Sequence, residues 1–451
     1  MMSAGTRTAA PAPAPGPEAE LSHWLRWLEG LHPKSIDLGL DRLIPVRDAL
    51  GLNRPGFRIL TVAGTNGKGS SVALAEALLR ADGCRTGAYT SPHLISFNER
   101  IRINGEAVSD ALIVDALCQV EACRGDHSLS YFEYTTLAAL LLFRQQGVDH
   151  AVLEVGLGGR LDAVNMLDAD VSLLTRVALD HADWLGSDLA GIAREKAGIC
   201  RPGRPAIIAD GRPDSPLPSA AEATGAAVQL AGRDFAWQGA DGAAWHWDHV
   251  AGHQLEDLPP LPWWQRPWQR DNASGAMAAI AVFRPSALKN VAQVRRVLSG
   301  LVPAGRVQCF PGPPETILDV AHNPDAAQAL GDWLAARPAT GRTRAVIGMK
   351  ADKDISGVIN SLVDQVDEWW PANLTADGGL SDVAMMECLP GNGVKTGGDP
   401  LATWQAVLAA SAPEDRVLVL GSFLTVGPVL RQLLAAGQTG ATSESAEARS
   451  L

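Results

Sequence analysis

Cysteine is scarce in this chain of 451 residues: Cys84, Cys118, Cys123, Cys200, Cys309 and Cys388 are scattered, with no CxxC pair. That spacing excludes a disulfide framework and a cysteine zinc site, and it reads as reduced thiols in a cytosolic protein. Basic charge is also short, with 38 Lys plus Arg against 50 Asp plus Glu and a formal net charge of -12. A broad field attractive to nucleic acid or to an anionic membrane is therefore excluded, and any polyanion must be held by a local cluster. The sequence has no internal repeat, and its first 20 residues hold no apolar run long enough for a membrane helix or a signal peptide.

What is present suits a globular enzyme. Hydrophobic residues make up 46% and charged residues 20%. At roughly 100–200 residues per domain, the length predicts two or three domains, each with a real core. The Ala-Pro run within residues 1–20 predicts a disordered leader, and the small polar residues of 438–451 predict a similar tail. Order is expected from Leu21, where Leu21, Trp24, Leu25 and Leu28 recur at helical spacing.

The segment FRILTVA (57–63) predicts a buried strand. It breaks into Gly64-Thr65-Asn66-Gly67-Lys68-Gly69-Ser70 and then a helical run. Further buried strands are expected at 150–155, 171–175 and 205–209, whose continuous apolar character suits a parallel sheet covered on both faces. Residues 235–250 predict a hairpin, followed by the Pro/Trp-rich connector LPPLPWWQRPWQR. Seven of the 13 tryptophans (Trp237, Trp245, Trp247, Trp263, Trp264, Trp268 and Trp333) fall between 237 and 333. They read as packing and an interdomain contact in preference to a ligand-stacking platform. A second strand–helix rhythm follows, with strands at 316–320, 344–349 and 416–420 and a helix near 354–366, while 371–396 reads as a loose surface excursion. The fold class is thus α/β: a P-loop-type domain over 21–300, with a mostly parallel sheet, and a smaller Rossmann-like domain over 301–437.

The glycine-rich loop is the first strong chemical signal. Glycines let backbone N–H groups face phosphate oxygens, the following helix presents its positive end, and Lys68 adds a mobile charge. The loop departs from GxxxxGK[ST], with Val62 at the first Gly position and Gly69 after the Lys. A Gly-rich turn without ligand is the plain alternative. Glu154, closing the strand at 150–155, stands where a magnesium ligand is expected or is an unpaired acid at a strand end. His181 follows a second strand and on its own reads as a structural hydrogen-bonding residue.

Nine segments then occur in order: AGTNGKGS (63–70), YTSPHL (89–94), NERIRING (98–105), YFEYTTLAAL (131–140), LEVGLGGRLDAVN (153–165), LDHADWLG (179–186), REKAGI (194–199), DVAHNPDAA (319–327) and GMKADKD (348–354). Together they resemble bacterial dihydrofolate synthase/folylpolyglutamate synthase enzymes of the Mur ligase-like family, over about residues 20–437. The resemblance implies an ATP-dependent ligase that phosphorylates a substrate carboxylate and lets the amine of L-glutamate displace phosphate. It implies that Thr65, Asn66, Gly67, Lys68 and Gly69 bind ATP phosphates, with Asn272, Arg306 and Asp319 as further nucleotide contacts. Ser91, Glu154 and His181 correspond to magnesium ligands for two ions, and Lys196 to a lysine that carries a carbamate. Lys68, Glu154, His181 and Lys196 form the implied catalytic set. The acceptor, dihydropteroate or a reduced folate, is implied to meet Ser35, Ile36, Asp37, Ser130, Tyr131, Phe132, Glu133, Leu161, Asp162 and Ala163, and the glutamate to lie near His322 and Ser422. Read on their own, Lys196 is an ordinary helix lysine, Phe132 a core residue, Asp37 and Asn272 caps, Arg306 a surface ion pair and Asp319 a turn residue. A cytoplasmic monomer with no nucleic-acid or membrane partner is expected. Polyglutamylation alone, or a noncatalytic nucleotide-binding role, is the alternative function.

Overall fold

The structure is a computed structural model that describes residues 13–32, 37–240, 243–260, 267–375, 378–391, 395 and 397–438. Residues 1–12 of the expected leader, Ser35, Ile36, residues 261–266 of the Trp/Pro stretch and residues 439–451 of the expected tail lie outside the described residues. The end of the leader differs from the expected free coil. The carbonyl of Gly16 accepts from Trp24 Nε1 at 3.2 Å, and Ala14 packs on the core. A buried indole N–H needs a partner, and the chain ahead of the helix Leu21–Leu31 supplies it.

Eight strands form the first sheet: β1 (Arg58–Ala63), β2 (Thr86–Tyr89), β3 (Ile101–Ile103), β4 (Glu106–Ala107), β5 (His150–Glu154), β6 (Val171–Leu174), β7 (Pro205–Ile208) and β8 (Ala227–Leu230). Their order is β4-β3-β2-β5-β1-β6-β7-β8. All neighbours from β2 to β8 pair parallel, and β3 and β4 add an antiparallel edge. Along β1, Ile59 and Ala63 join one hydrophobic cluster while Leu60 and Val62 join another. Both faces are therefore covered, as the unbroken apolar strands predict. β1 lies between β5 and β6, so the loops leaving these three strands converge at one carboxyl edge, where open α/β sheets place ligands.

The expected hairpin is present and gains a third strand. β9 (Phe235–Gln238), β10 (Trp245–His249) and β11 (His253–Leu258) form a small antiparallel sheet in the order β11-β10-β9. Trp245 and Trp247 are buried on its inner face, and Trp247 Nε1 donates to Ser274 Oγ at 2.9 Å. This fastens the insert to the helix Pro267–Phe283, which runs over β6 and β7.

The second domain's sheet contains β12 (Gln308–Phe310), β13 (Glu315–Leu318), β14 (Thr343–Ile347), β15 (Glu368–Pro371) and β16 (Arg416–Leu420), in the order β12-β13-β16-β14-β15. Of these five strands, β12 alone pairs antiparallel. The single helix expected near 354–366 is instead Ile355–Asn360 followed by a 3-10 turn at Val363–Gln365. Ser361 Oγ donates back to the Gly357 carbonyl at 2.8 Å, a side-chain bond that competes with helix propagation. Within 371–396, the helix Asp382–Cys388 buries Met385, so that stretch carries structure of its own.

Gly275 marks a tight contact between the helix Pro267–Phe283 and the sheet. A Cβ there would stand 2.4 Å from Ala209 Cβ and 3.3 Å from Leu173 Cδ1. Gly275→Val is expected to lower stability by about 1–3 kcal/mol through overpacking, read as a lower urea midpoint. Gly30, with nothing within 4 Å of its Cβ position, is the contrast: Gly30→Ala should raise the midpoint slightly.

Candidate active site

The loop after β1 is shaped by close approaches. A Cβ on Gly64 would fall 1.8 Å from Thr175 Oγ1, and Gly67 has φ +90 with its Cβ position 2.1 Å from Asn272 Oδ1. Only glycine admits these neighbours, so the loop is pressed against β6 and against the helix Pro267–Phe283. Asn272 is within that helix and is not its cap. Thr65 is committed to holding the loop: its N–H donates to the Arg176 carbonyl at 2.6 Å. Its hydroxyl donates to the Ala178 carbonyl and accepts from Ala178 N–H, both at 3.0 Å.

The helix Lys68–Ala81 begins at once, and Lys68 curls back to donate to the carbonyls of Gly64 at 3.0 Å and Thr65 at 3.2 Å. Lys196, on the helix Leu189–Ala197, reaches the same Gly64 carbonyl at 3.0 Å. Burial lowers both ammonium groups below the usual range, Lys196 to about 7, and Lys68 remains attracted to Glu154. Glu154 closes β5 in a buried position and accepts from Ser91 N–H at 3.3 Å. Burial raises its carboxyl pKa, opposed by the charges of Lys68 and Arg306.

Arg306 and Asp319 come from the second domain, Asp319 buried and Arg306 partly so. The Asp319 carboxylate accepts from Val307 N–H at 2.8 Å and Ala321 N–H at 2.7 Å, fixing the turn that presents Arg306. The Arg306 guanidinium lies 5.3 Å over the Phe423 ring, so it is neither exposed nor a surface pair. Ser422 caps the helix Phe423–Ala435, accepting from Leu424 N–H at 3.1 Å.

Asp180 ties the two domains together. It accepts from Lys353 Nζ at 2.7 Å and stands 3.5 Å from His322 Nε2. Burial opposes its ionisation, but the hydrogen bond from His322 and the charges of His181, His322 and Lys353 outweigh burial and hold it well below the usual range. His181, at φ +52, has its Nε2 3.3 Å from Lys353 Nζ, and burial lowers its imidazole to about 4.

A cleft of about 740 Å³ gathers Thr65, Asn66, Gly67, Lys68, Gly69, Ser91, Glu154, His181, Lys196, Asn272, Arg306, Asp319 and His322. Of the acceptor residues implied by the resemblance, those among the described residues stand behind its wall. Ser130 and Glu133 form a capping box on the helix Tyr131–Gln145. Glu133 also accepts from Arg42 Nε at 2.9 Å, and Arg42 pairs with Asp37 at 2.5 Å. Tyr131 lies beside Phe97, and Phe132 packs on Gly156, where a Cβ would approach within 2.7 Å. Asp162 caps the 3-10 turn Ala163–Met166 and holds Leu157 N–H at 2.9 Å, with Leu161 partly buried beside it. Burial raises Asp162 to about 6.

Several cleft residues carry no signal in the sequence. Gln269 is buried, lines the cleft, and neither its amide oxygen nor its nitrogen has a hydrogen-bond partner among the described residues. Trp237 also lines the cleft, its indole N–H donating to Asp271 at 2.8 Å. The expectation of tryptophan as packing holds for the buried Trp245, Trp247 and Trp333. It holds also for Trp237 and Trp268, which pack on cores from partly buried positions while also lining the cleft; Trp263 and Trp264 lie outside the described residues. Away from the cleft, Cys84, Asp149 and His150 place ligand-type atoms within 4.8 Å of one another. Arg284 bears on Cys84, however, and a fixed cation there disfavours a metal ion.

Comparison with known proteins agrees with this layout. Residues 62–210 match the Mur ligase middle domain, and residues 305–423 match the Mur ligase glutamate ligase domain. The dihydrofolate synthase/folylpolyglutamate synthase of Escherichia coli K12 is 42% identical over 410 residues, covering 91% of this chain and 94% of that protein. Its counterpart in Mycobacterium tuberculosis is 32% identical, over 75% of this chain and 74% of that protein. The structure of E. coli FolC with DHPP and ADP superposes with a TM-score of 0.87 at 41% identity, covering 94% of this chain and all of that one (100%). A bifunctional folylpolyglutamate synthase/dihydrofolate synthase with Mn, AMPPNP and L-glutamate bound gives 0.83 at 40% identity, with 94% and 100% covered. With both domains, the buried lysine pair and the two-domain cleft in place, the chain belongs to the dihydrofolate synthase/folylpolyglutamate synthase enzymes of the Mur ligase family.

Proposed function

We propose that this protein joins L-glutamate to dihydropteroate, giving dihydrofolate, and adds further glutamates to folates, driven by ATP through an acyl phosphate. The observation that carries this reading is the cleft itself. Lys68 and Lys196 share the Gly64 carbonyl on one wall, and Arg306 and His322 reach in from the other domain. The relatives bound to ADP and DHPP, or to AMPPNP, Mn and L-glutamate, support the same substrates here.

The chemistry requires anions to be brought together. The acceptor carboxylate attacks the γ-phosphorus, its new O–P bond forms as the bond to ADP breaks, and Lys68 and the loop amides face the charge that migrates to ADP. The glutamate amine then attacks the acyl carbon and loses a proton. Phosphate departs from the tetrahedral intermediate, leaving the amide. Arg306, held in place by Asp319, faces the same anions from the second domain. The donors at the site fit a hard divalent ion: the Ser91 hydroxyl, the Glu154 carboxylate and the His181 imidazole, with Glu154 buried beyond what Lys68 and Arg306 neutralise. We assign Mg2+ to these residues, as two ions; bound there, Mg2+ supplies Lewis-acid charge neutralisation of the phosphates.

Lys196 belongs to this design as a carbamate. With its pKa near 7, much of the amine is neutral and able to attack CO2, giving an anionic carbamate and a proton. The unpartnered Gln269 amide offers a donor and an acceptor side by side, which suits the edge of adenine. A cytoplasmic monomer acting on small molecules, not on nucleic acid, completes the proposal, supported by the charge of -12 and six free cysteines. Among the described residues no helix is long and apolar enough to cross a membrane.

With dihydropteroate, L-glutamate and Mg-ATP, the purified protein should form ADP and dihydrofolate in equal amounts; product from tetrahydrofolate alone would narrow it to polyglutamylation, and neither product would refute it. Lys68→Ala should lower kcat by about 10²–10³-fold while the thermal midpoint stays near that of the wild type. Removal of CO2 should slow the wild type, and restoring the same dissolved CO2 concentration should reactivate it faster at pH 8 than at pH 6, because more of the Lys196 amine is then neutral. Lys196→Ala should show no such response. Gln269→Leu should reduce the preference for ATP over GTP in competition assays.

A further inference from the structure

We propose that Arg176 is a positioning residue for nucleotide binding: it neutralises Asp325 and thereby latches the second domain to the apex of the phosphate loop. The inference rests on the reading that the loop binds ATP.

Four side chains meet at this point. Asn66, at the loop apex, donates to Asp325 Oδ2 at 2.8 Å and to Asn323 Oδ1 at 3.2 Å. It also accepts from Asn323 Nδ2 at 3.0 Å. The other oxygen of Asp325 pairs with Arg176 Nη2 at 2.6 Å. Asn323 is the cap of the helix Pro324–Ala335, accepting from Ala326 N–H at 2.9 Å, so Asn323 and Asp325 move with that helix as one body.

Arg176 holds both sides. Its backbone carbonyl accepts from Thr65 N–H in the loop at 2.6 Å, and its guanidinium grips the second domain through Asp325. The pair is about a third (33%) exposed at Arg176 and a quarter (23%) exposed at Asp325, a polar contact that can break and re-form as domains move. The charge logic gives Arg176 a second task. Asp325 stands against the apex of a loop that receives a polyanion, and its carboxylate would repel that ligand if left uncovered. Arg176 removes the repulsion while supplying the interdomain tie.

Two consequences separate this role from generic packing. Arg176→Ala should weaken AMPPNP binding by about 5–20-fold, with a larger loss at low salt, because an uncovered charge is then felt further. Asp325→Asn, which keeps an acceptor oxygen for Arg176 or Asn66, should cost little alone. Combined with Arg176→Ala it should recover the salt-sensitive part of the loss, which comes from the uncovered charge, and leave the part that comes from the missing tie. In solution scattering without any ligand, Arg176→Ala should be more extended than the wild type, a readout that does not depend on the ligase activity. Thermal midpoints of each variant check that the fold is kept. Additive losses in the double variant, unchanged AMPPNP affinity in Arg176→Ala, or identical scattering profiles would overturn the proposal.

Discussion

Two lysine nitrogens converge on one carbonyl oxygen, that of Gly64, and much of the site follows from that crowding. Two ammonium groups held together away from water are each costly, so both are pushed towards neutrality. The structure answers with carboxylates whose charges oppose that shift: Glu154, Asp180 and Asp162 act on Lys68, and Asp180 and Asp162 on Lys196. A chain with an excess of 12 negative charges thus sets a few lysines and arginines among the carboxylates of one cleft, with Lys196 buried there. In such a setting each charge counts for more than it would on a surface.

The same constraint accounts for the heavy bracing of the wall behind the cleft. Gly159 brings the turn after β5 against the helix Leu189–Ala197, where a Cβ would sit 2.7 Å from the Glu195 carbonyl. That close approach lets the buried Lys196 cross to the loop. Arg42, pairing Asp37 with Glu133, and Ser130 with its reciprocal bond to Glu133, fix the start of the helix that backs Gly156. Precision at the reacting centre is maintained by residues that do not themselves reach it.

Much of this architecture is legible in the amino-acid sequence. The strands are legible because buried parallel strands are unbroken apolar runs. The loop is legible because closely spaced glycines between such a strand and a helix leave backbone amides free to face an anion. The S-x-x-E of Ser130 and Glu133 is also readable as a capping box. The family resemblance points instead to ligand contact, whereas the helix start is what those side chains visibly serve. What stays hidden depends on distance along the chain. Arg176 and Asp325, or Asn66 and Asn323, meet only after two domains fold, and no local period announces them. Gln269 is invisible for another reason: its significance lies in lacking partners, which a sequence does not record.

The contact between Gly67 and Asn272 binds distant parts of the chain into one heritable unit. Since the Asn272 amide fills the space that any side chain at position 67 would need, the loop cannot acquire a β-carbon unless the helix Pro267–Phe283 retreats or its asparagine shrinks. That helix is itself pinned by Trp247 to the inserted sheet and by Gly275 against Ala209, just beyond β7. Drift in the insert, remote from any phosphate, is therefore filtered through the geometry of the nucleotide loop.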